Sequence, residues 1–147
     1  MKYKFGIMQG RLIPKYQGRY QAHPIGYWKD EFSIASDLGL DSIEFILDYN
    51  DVEKNPLLSI GGIEDIKKAE QLSGVKVRSI CADYFMEAPI HSKNTLTVDK
   101  SLEVMDQLIK NASLLDIKDI VIPCVDQSSL KSKNDIDNFK NNIKLMV

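Results

Sequence analysis

The stretch Val75-Lys76-Val77-Arg78-Ser79-Ile80-Cys81-Ala82 is followed by a segment in which Val98, Leu102, Met105, Ile109 and Ala112 recur at steps of four, three, four and three. A short apolar run that hands over to a helical period reads as a buried strand leading into an amphipathic helix. Working outward from this unit, the same alternation occurs three more times. Upstream, residues 42–47 form an apolar run, and Ile63, Ile66, Ala69 and Leu72 then mark a helix that meets Gly74 as its stop. Further upstream, residues 4–9 are extended. A polar loop holding Pro14, Gly18, Pro24 and Gly26 leads from them to a helix with Trp28, Phe32, Ala35 and Leu38 on one side and Gly39 at its end. Downstream, residues 118–123 read as a fourth buried strand. Asn134 or Asp135 is placed to cap a last helix whose apolar face is Ile136, Phe139, Ile143 and Met146.

Four strands separated by helices imply parallel pairing through right-handed crossovers, so the class is α/β. Two architectures satisfy the pattern. Half of a (β/α)8 TIM barrel would place every helix outside, whereas a doubly wound, flavodoxin-like sheet would place helices on both faces. Periodicity alone does not choose between them. No Gly, Asn or Pro stop follows the final apolar pattern, and a whole barrel needs roughly 200 residues or more. The expectation is therefore a single domain over residues 1–147 that forms half a barrel, truncated in its fourth helix. Such a half would leave two unpaired edges and an apolar inner face, so self-association or docking of a missing C-terminal half is expected.

Composition narrows the function. The 147 residues carry 19 Lys plus Arg against 21 Asp plus Glu, and 44% are hydrophobic, the arithmetic of one globular core. With a net charge of -2 and the two signs interspersed, no basic face for nucleic acid is expected. No apolar run approaches the ~20 residues of a membrane span. Lys2 and Lys4 lead into Gln9, Gly10 and Arg11 with no run of signal-peptide length, which points to the cytoplasm. Cys81 and Cys124 form no CxxC pair and are expected as reduced, packed thiols, and His23 and His91 as surface histidines.

In parallel α/β folds ligands lie beyond the carboxyl ends of the strands. Those ends carry Gln9 to Arg11, Glu44 with Asp48, Cys81 to Tyr84, and Cys124 to Gln127. Glu44 interrupts an apolar run, where an unpaired buried charge is costly. It should face a polar cavity or pair with Arg11 or Arg78. Ser79, Cys81 and Asp83 share one strand parity, so an inward Cys81 places Asp83 at the mouth. Tyr84, Phe85 and Met86 form an apolar wall or cover the core. Arg11 and Arg19 are candidates for phosphate, without a P-loop or GxGxxG to strengthen the assignment. Neither histidine has a second ligand at metal-binding spacing, and no nucleophile elbow is present.

Four stretches together carry a family resemblance: Gly6-Ile7-Met8-Gln9-Gly10-Arg11-Leu12, Gly39-Leu40-Asp41-Ser42-Ile43-Glu44-Phe45-Ile46, Asn55-Pro56-Leu57 and Ser79-Ile80-Cys81-Ala82-Asp83-Tyr84-Phe85-Met86. The chain resembles the N-terminal half of the sugar phosphate isomerase/epimerase family, the xylose-isomerase-like TIM barrel group. The resemblance implies a ketose or ketose phosphate substrate and a divalent metal, Mn, Mg or Zn. It implies proton transfer next to a carbonyl through an enediolate. In relatives the metal is held by Glu, Asp, His and Glu on strands five to eight, so no metal ligand and no catalytic acid or base carries over to this chain. What carries over is a set of substrate-side positions, Gln9, Glu44, Cys81, Asp83 and Tyr84, with Arg11 as a phosphate contact, and the half alone is expected to be inactive. Zinc endonucleases acting on abasic DNA share the fold, but they use histidines at strand ends where this chain has Gln9, Cys81 and Cys124.

Overall fold

The computed structural model describes residues 3–146. Its four strands, β1 (Gly6–Met8), β2 (Ser42–Ile46), β3 (Lys76–Cys81) and β4 (Asp119–Val121), form one sheet in the order β1-β2-β3-β4 with every pair parallel. The helices are α1 (Asp30–Asp37), α2 (Ile60–Ser73), α3 (Tyr84–Glu87), α4 (Thr95–Leu114) and α5 (Lys133–Lys144). The monotone strand order decides the architecture. A doubly wound sheet reverses direction at a switch point, whereas right-handed crossovers between successive neighbours put all the helices on one face.

The burial pattern agrees with that geometry. Ile7, Ile43, Phe45, Val77, Ile80 and Ile120 share one apolar cluster with Phe32 and Ala35 of α1, Ile63 and Ile66 of α2, and Met105 and Leu108 of α4. The opposite face carries Gly6, Met8, Ser42, Glu44, Ile46, Ser79, Cys81, Asp119 and Val121, placed together by the strand register. That face is mixed: Met8, Ile46, Cys81 and Val121 supply the apolar part expected of a half-barrel interior, and Ser42, Glu44, Ser79 and Asp119 add polar groups to it. A bulge between Ile43 and Glu44 leaves Arg78 as an extra residue of β3, so that Ser42 pairs with Lys76 while Glu44 pairs with Ser79.

Local chemistry sets the helix ends. Ser59 caps α2 by accepting from the Gly62 amide at 3.0 Å, and Gly74 closes it in the left-handed conformation. Asn94 caps α4 through the Leu96 and Thr97 amides. The cap of α5 is Ser132, not Asn134 or Asp135, because Asp135 at the third helical position completes a capping box with it. That helix closes at Lys144 with Leu145 as its C-cap.

The buried stripe of α4 is rotated from the one expected. Ser101, Val104, Met105, Leu108, Asn111 and Ala112 face the core, while Val98, Leu102 and Ile109 flank it. The polar members are satisfied there: Ser101 Oγ donates to the Ala88 carbonyl and Asn111 Nδ2 to the Leu57 carbonyl, each at 2.8 Å. Leu38 and Leu72 lie at the surface instead of on the helix faces assigned to them. Among the described residues no helix is long and apolar enough to cross a membrane.

Candidate functional site

Beyond the carboxyl ends of the strands lies an open cleft of about 600 Å³. Met8, Glu44, Cys81 and Val121 form its floor on the sheet face away from the helices, and Arg19, Gln21, Asp48 and Asp83 stand around it. A second groove, of about 560 Å³, runs between α1 and α2 on the outer surface, away from the strand ends.

The loop from β1 to α1 shapes one wall, and Glu31 shapes the loop. Its fully buried carboxylate accepts from the amides of Gly10, Arg11 and Leu12 at 2.7, 2.9 and 3.0 Å. Three charge-assisted bonds fix the chain as it leaves β1. The loop then reaches over β2, so that Arg19 lies 2.7 Å from Asp48 Oδ2 and Gln21 Nε2 donates to Asp83 Oδ2 at 2.6 Å. The hydrogen bond to Asp48 holds the Arg19 pKa above its ordinary value against the lowering effect of burial, with the charges of Asp48, Tyr16 and Asp51 adding to the rise.

The expected site residues divide into two groups. Glu44, Cys81 and Asp83 border the cleft together. Glu44 accepts from Ser79 Oγ at 2.6 Å and makes no ion pair with Arg11 or Arg78 among the described residues, so the expected pairing is not formed. Cys81 Sγ donates to Asp83 Oδ1 at 3.2 Å. Burial, then Asp83 and Glu44, push the thiol pKa up to about 12, which keeps it protonated. Burial also raises the Asp83 pKa, against the lowering effect of its Gln21 and Cys81 donors, with the charges of Asp48 and Glu44 adding to the rise.

Gln9, Tyr84 and Arg11 lie outside the wall. Gln9 is fully buried behind it, where its Oε1 accepts from the Ile46 amide at 3.1 Å and faces His23 Nδ1 at 3.0 Å. Tyr84 packs into the core 5.2 Å from the Phe85 ring, and Tyr49, whose tilted ring lies 5.3 Å from that of Tyr84, lines the cleft instead. Arg11 turns over the Tyr20 ring at 4.3 Å and donates to the Tyr20 carbonyl.

Both histidines are buried, contrary to the surface expectation, because their loops fold back onto the core. His23 lies 5.3 Å from the Phe45 ring and 6.3 Å from that of Trp28, and burial drives its pKa down to about 4. His91 meets the edge of Phe139 on α5 at 6.0 Å. Sequence reading missed Gln21 and Glu31, whose partners lie 62 and 19 to 21 residues away. No local pattern announces contacts of that span.

The divalent metal implied by the family resemblance does not fit these residues. Among the described residues no group of three or more His, Cys, Asp or Glu side chains is placed to hold an ion. At the cleft the thiol keeps its proton, and His23 is walled in by aromatic rings.

The cleft lies over a monotone parallel sheet built from successive βα units, an α/β arrangement. The solved structure of 3-keto-D-glucoside 4-epimerase, YcjR, from E. coli in its apo form shares it: the TM-score is 0.67 at 16% identity, over 98% of this chain and 50% of that one. The chain thus spans half the length of that epimerase and shares the fold of that half. No protein-family model matches the sequence, and no curated protein matches it.

Proposed function

We propose that this chain is the substrate-facing half of a carbohydrate isomerase or epimerase acting on a ketose or its phosphate. The observation that carries the reading is the carboxylate-bordered cleft at the carboxyl ends of the strands of a half-barrel similar to that of a sugar epimerase. Carboxylates such as Glu44 and Asp83 accept hydrogen bonds from vicinal hydroxyls and orient a sugar without performing chemistry on it. The neutral Cys81 thiol, which donates to Asp83, adds a small uncharged surface beside them. We place the metal ligands and the carboxylates that move the proton next to the carbonyl on strands that this chain does not contain. The domain over residues 1–147 then binds but does not turn over.

The test uses the 147-residue chain purified free of host isomerases, with D-fructose or D-fructose 6-phosphate and added Mn²⁺ or Mg²⁺. Binding without epimerisation is the expected result. Turnover would overturn the placement of the acid and base, and absence of binding to either sugar would overturn the carbohydrate reading.

A second reading, a non-catalytic half-barrel that assembles with another copy, rests on the sheet edges. Among the described residues β1 and β4 each pair on one side only, and Phe5 and Val121 are exposed near them. Sedimentation velocity distinguishes it: edge pairing gives a dimer, and a compact monomer at high concentration rejects it.

A further inference from the structure

The charge around the cleft deepens the carbohydrate reading and rests on it. Five carboxylates border the cleft, those of Glu44, Asp48, Asp83, Glu87 and Asp126, against one cation, Arg19. Arg19 is already engaged, at 2.7 Å from the buried Asp48. Arg11, the other arginine of this loop, is turned onto Tyr20. The backbone amides of Gly10, Arg11 and Leu12 form the cradle in which such a loop holds an anion, and all three donate to Glu31. The protein has filled its own anion site with a carboxylate. A free arginine, a lysine and an open amide cradle are the usual means of holding a phosphate, and none of them borders this cleft among the described residues.

We propose that this side of the cleft receives the uncharged, hydroxyl-bearing part of a sugar and excludes phosphate esters. A hydroxyl can donate to Glu44, Asp83 or Asp126, whereas a phosphate dianion offers only acceptors to groups that are themselves acceptors. The negative field also reaches the cleft's own groups, since the charges of Asp48 and Glu44 add to the burial that raises Asp83. Like charges brought together in a partly dry cleft oppose binding strongly.

The experiment titrates the chain with D-fructose, D-fructose 6-phosphate and inorganic phosphate, followed through the amide signals of Gln21, Cys81 and Asp83. D-fructose is expected to shift these signals, the ester to bind about tenfold or more weakly, and inorganic phosphate to leave them in place. Ester binding as tight as that of D-fructose overturns the inference while the carbohydrate reading stands. Failure of both sugars overturns the two together. Glu87→Lys at the exposed rim separates charge from shape. It is expected to narrow the ratio between the two sugars, and an unaltered ratio overturns charge as the cause.

Discussion

Gln21 donates to Asp83 at 2.6 Å and thereby ties the loop after β1 to the end of β3, across the top of β2. The bond does two things at once. It holds one wall of the cleft, and it favours the ionised form of a carboxyl group that burial pushes the other way.

Replacing Gln21 by Ala removes its hydrogen bond to Asp83 and a weaker contact to Cys81. Gln21 is exposed, so the expected loss of stability is small, about 1 kcal/mol or less. The carboxyl titration of Asp83, followed by NMR, should move further upward. Trypsin should cut more readily after Arg19, the residue that clasps Asp48 from the same loop. An unmoved Asp83 titration would show that the bond does not form in solution.

His23 gives the pH dependence of stability a definite sign. Its pKa is lowered on folding to about 4 from an ordinary value near 6.5, so the unfolded chain binds the proton more readily. Stability is therefore full above the ordinary value and is lost as pH falls through that window, by up to roughly 3 kcal/mol. Urea unfolding at pH 7.5 and 4.5 measures the difference. In His23→Phe the acid loss should shrink, and an equal loss in both proteins would assign it to carboxylates elsewhere.

Glu31→Ala leaves three amides without their acceptor in a buried place, and the expected cost is about 3 kcal/mol or more. Glu31→Gln keeps the shape and one acceptor oxygen and should cost less. Chemical denaturation of the pair checks the order, and an Ala variant as stable as the Gln variant would contradict it.

Adjacent glycines in α2 should respond in opposite directions. A Cβ on Gly62 would collide with Pro56, at 2.7 Å from its carbonyl carbon, whereas one on Gly61 meets open space. Gly62→Ala is expected to destabilise by about 2 kcal/mol or more, and Gly61→Ala to stabilise by about 0.5 to 1 kcal/mol through helix propensity. Thermal unfolding of the two variants is the measurement.

The positions of the strands and helices were legible because each depends on a local period: Ile63, Ile66 and Ala69 are buried as their spacing requires. Strand limits were less legible. Residues 4–9 read as extended, but the ladder of β1 covers Gly6–Met8, while Phe5 is held by the Asp41 backbone and side chain. The choice between barrel and doubly wound sheet depends on the order in which strands meet, which no window of sequence contains. The same reason hid the site. Glu44, Cys81 and Asp83 could be placed by strand parity, but Gln21 and Asp83 become neighbours only after the whole β1–β3 unit has formed. The burial of His23 depends likewise on a loop folding back over Phe45.

The extra residue at Arg78 acts on β3 as a change of phase. Lys76 and Cys81 are five positions apart, an odd step that an uninterrupted strand would send to opposite faces, and yet both register with inward-facing partners or neighbours of β2. Were the bulge absent with Arg78 retained, simple alternation would exchange the two faces of the strand's second half. Ile80 would then turn toward the cleft, and Ser79 and Cys81 toward the helices. The chemistry of the cleft thus hangs on where the extra residue is absorbed as much as on the kinds of residue around it: a chain with one residue fewer here would present the same surface to a sugar from a regular strand.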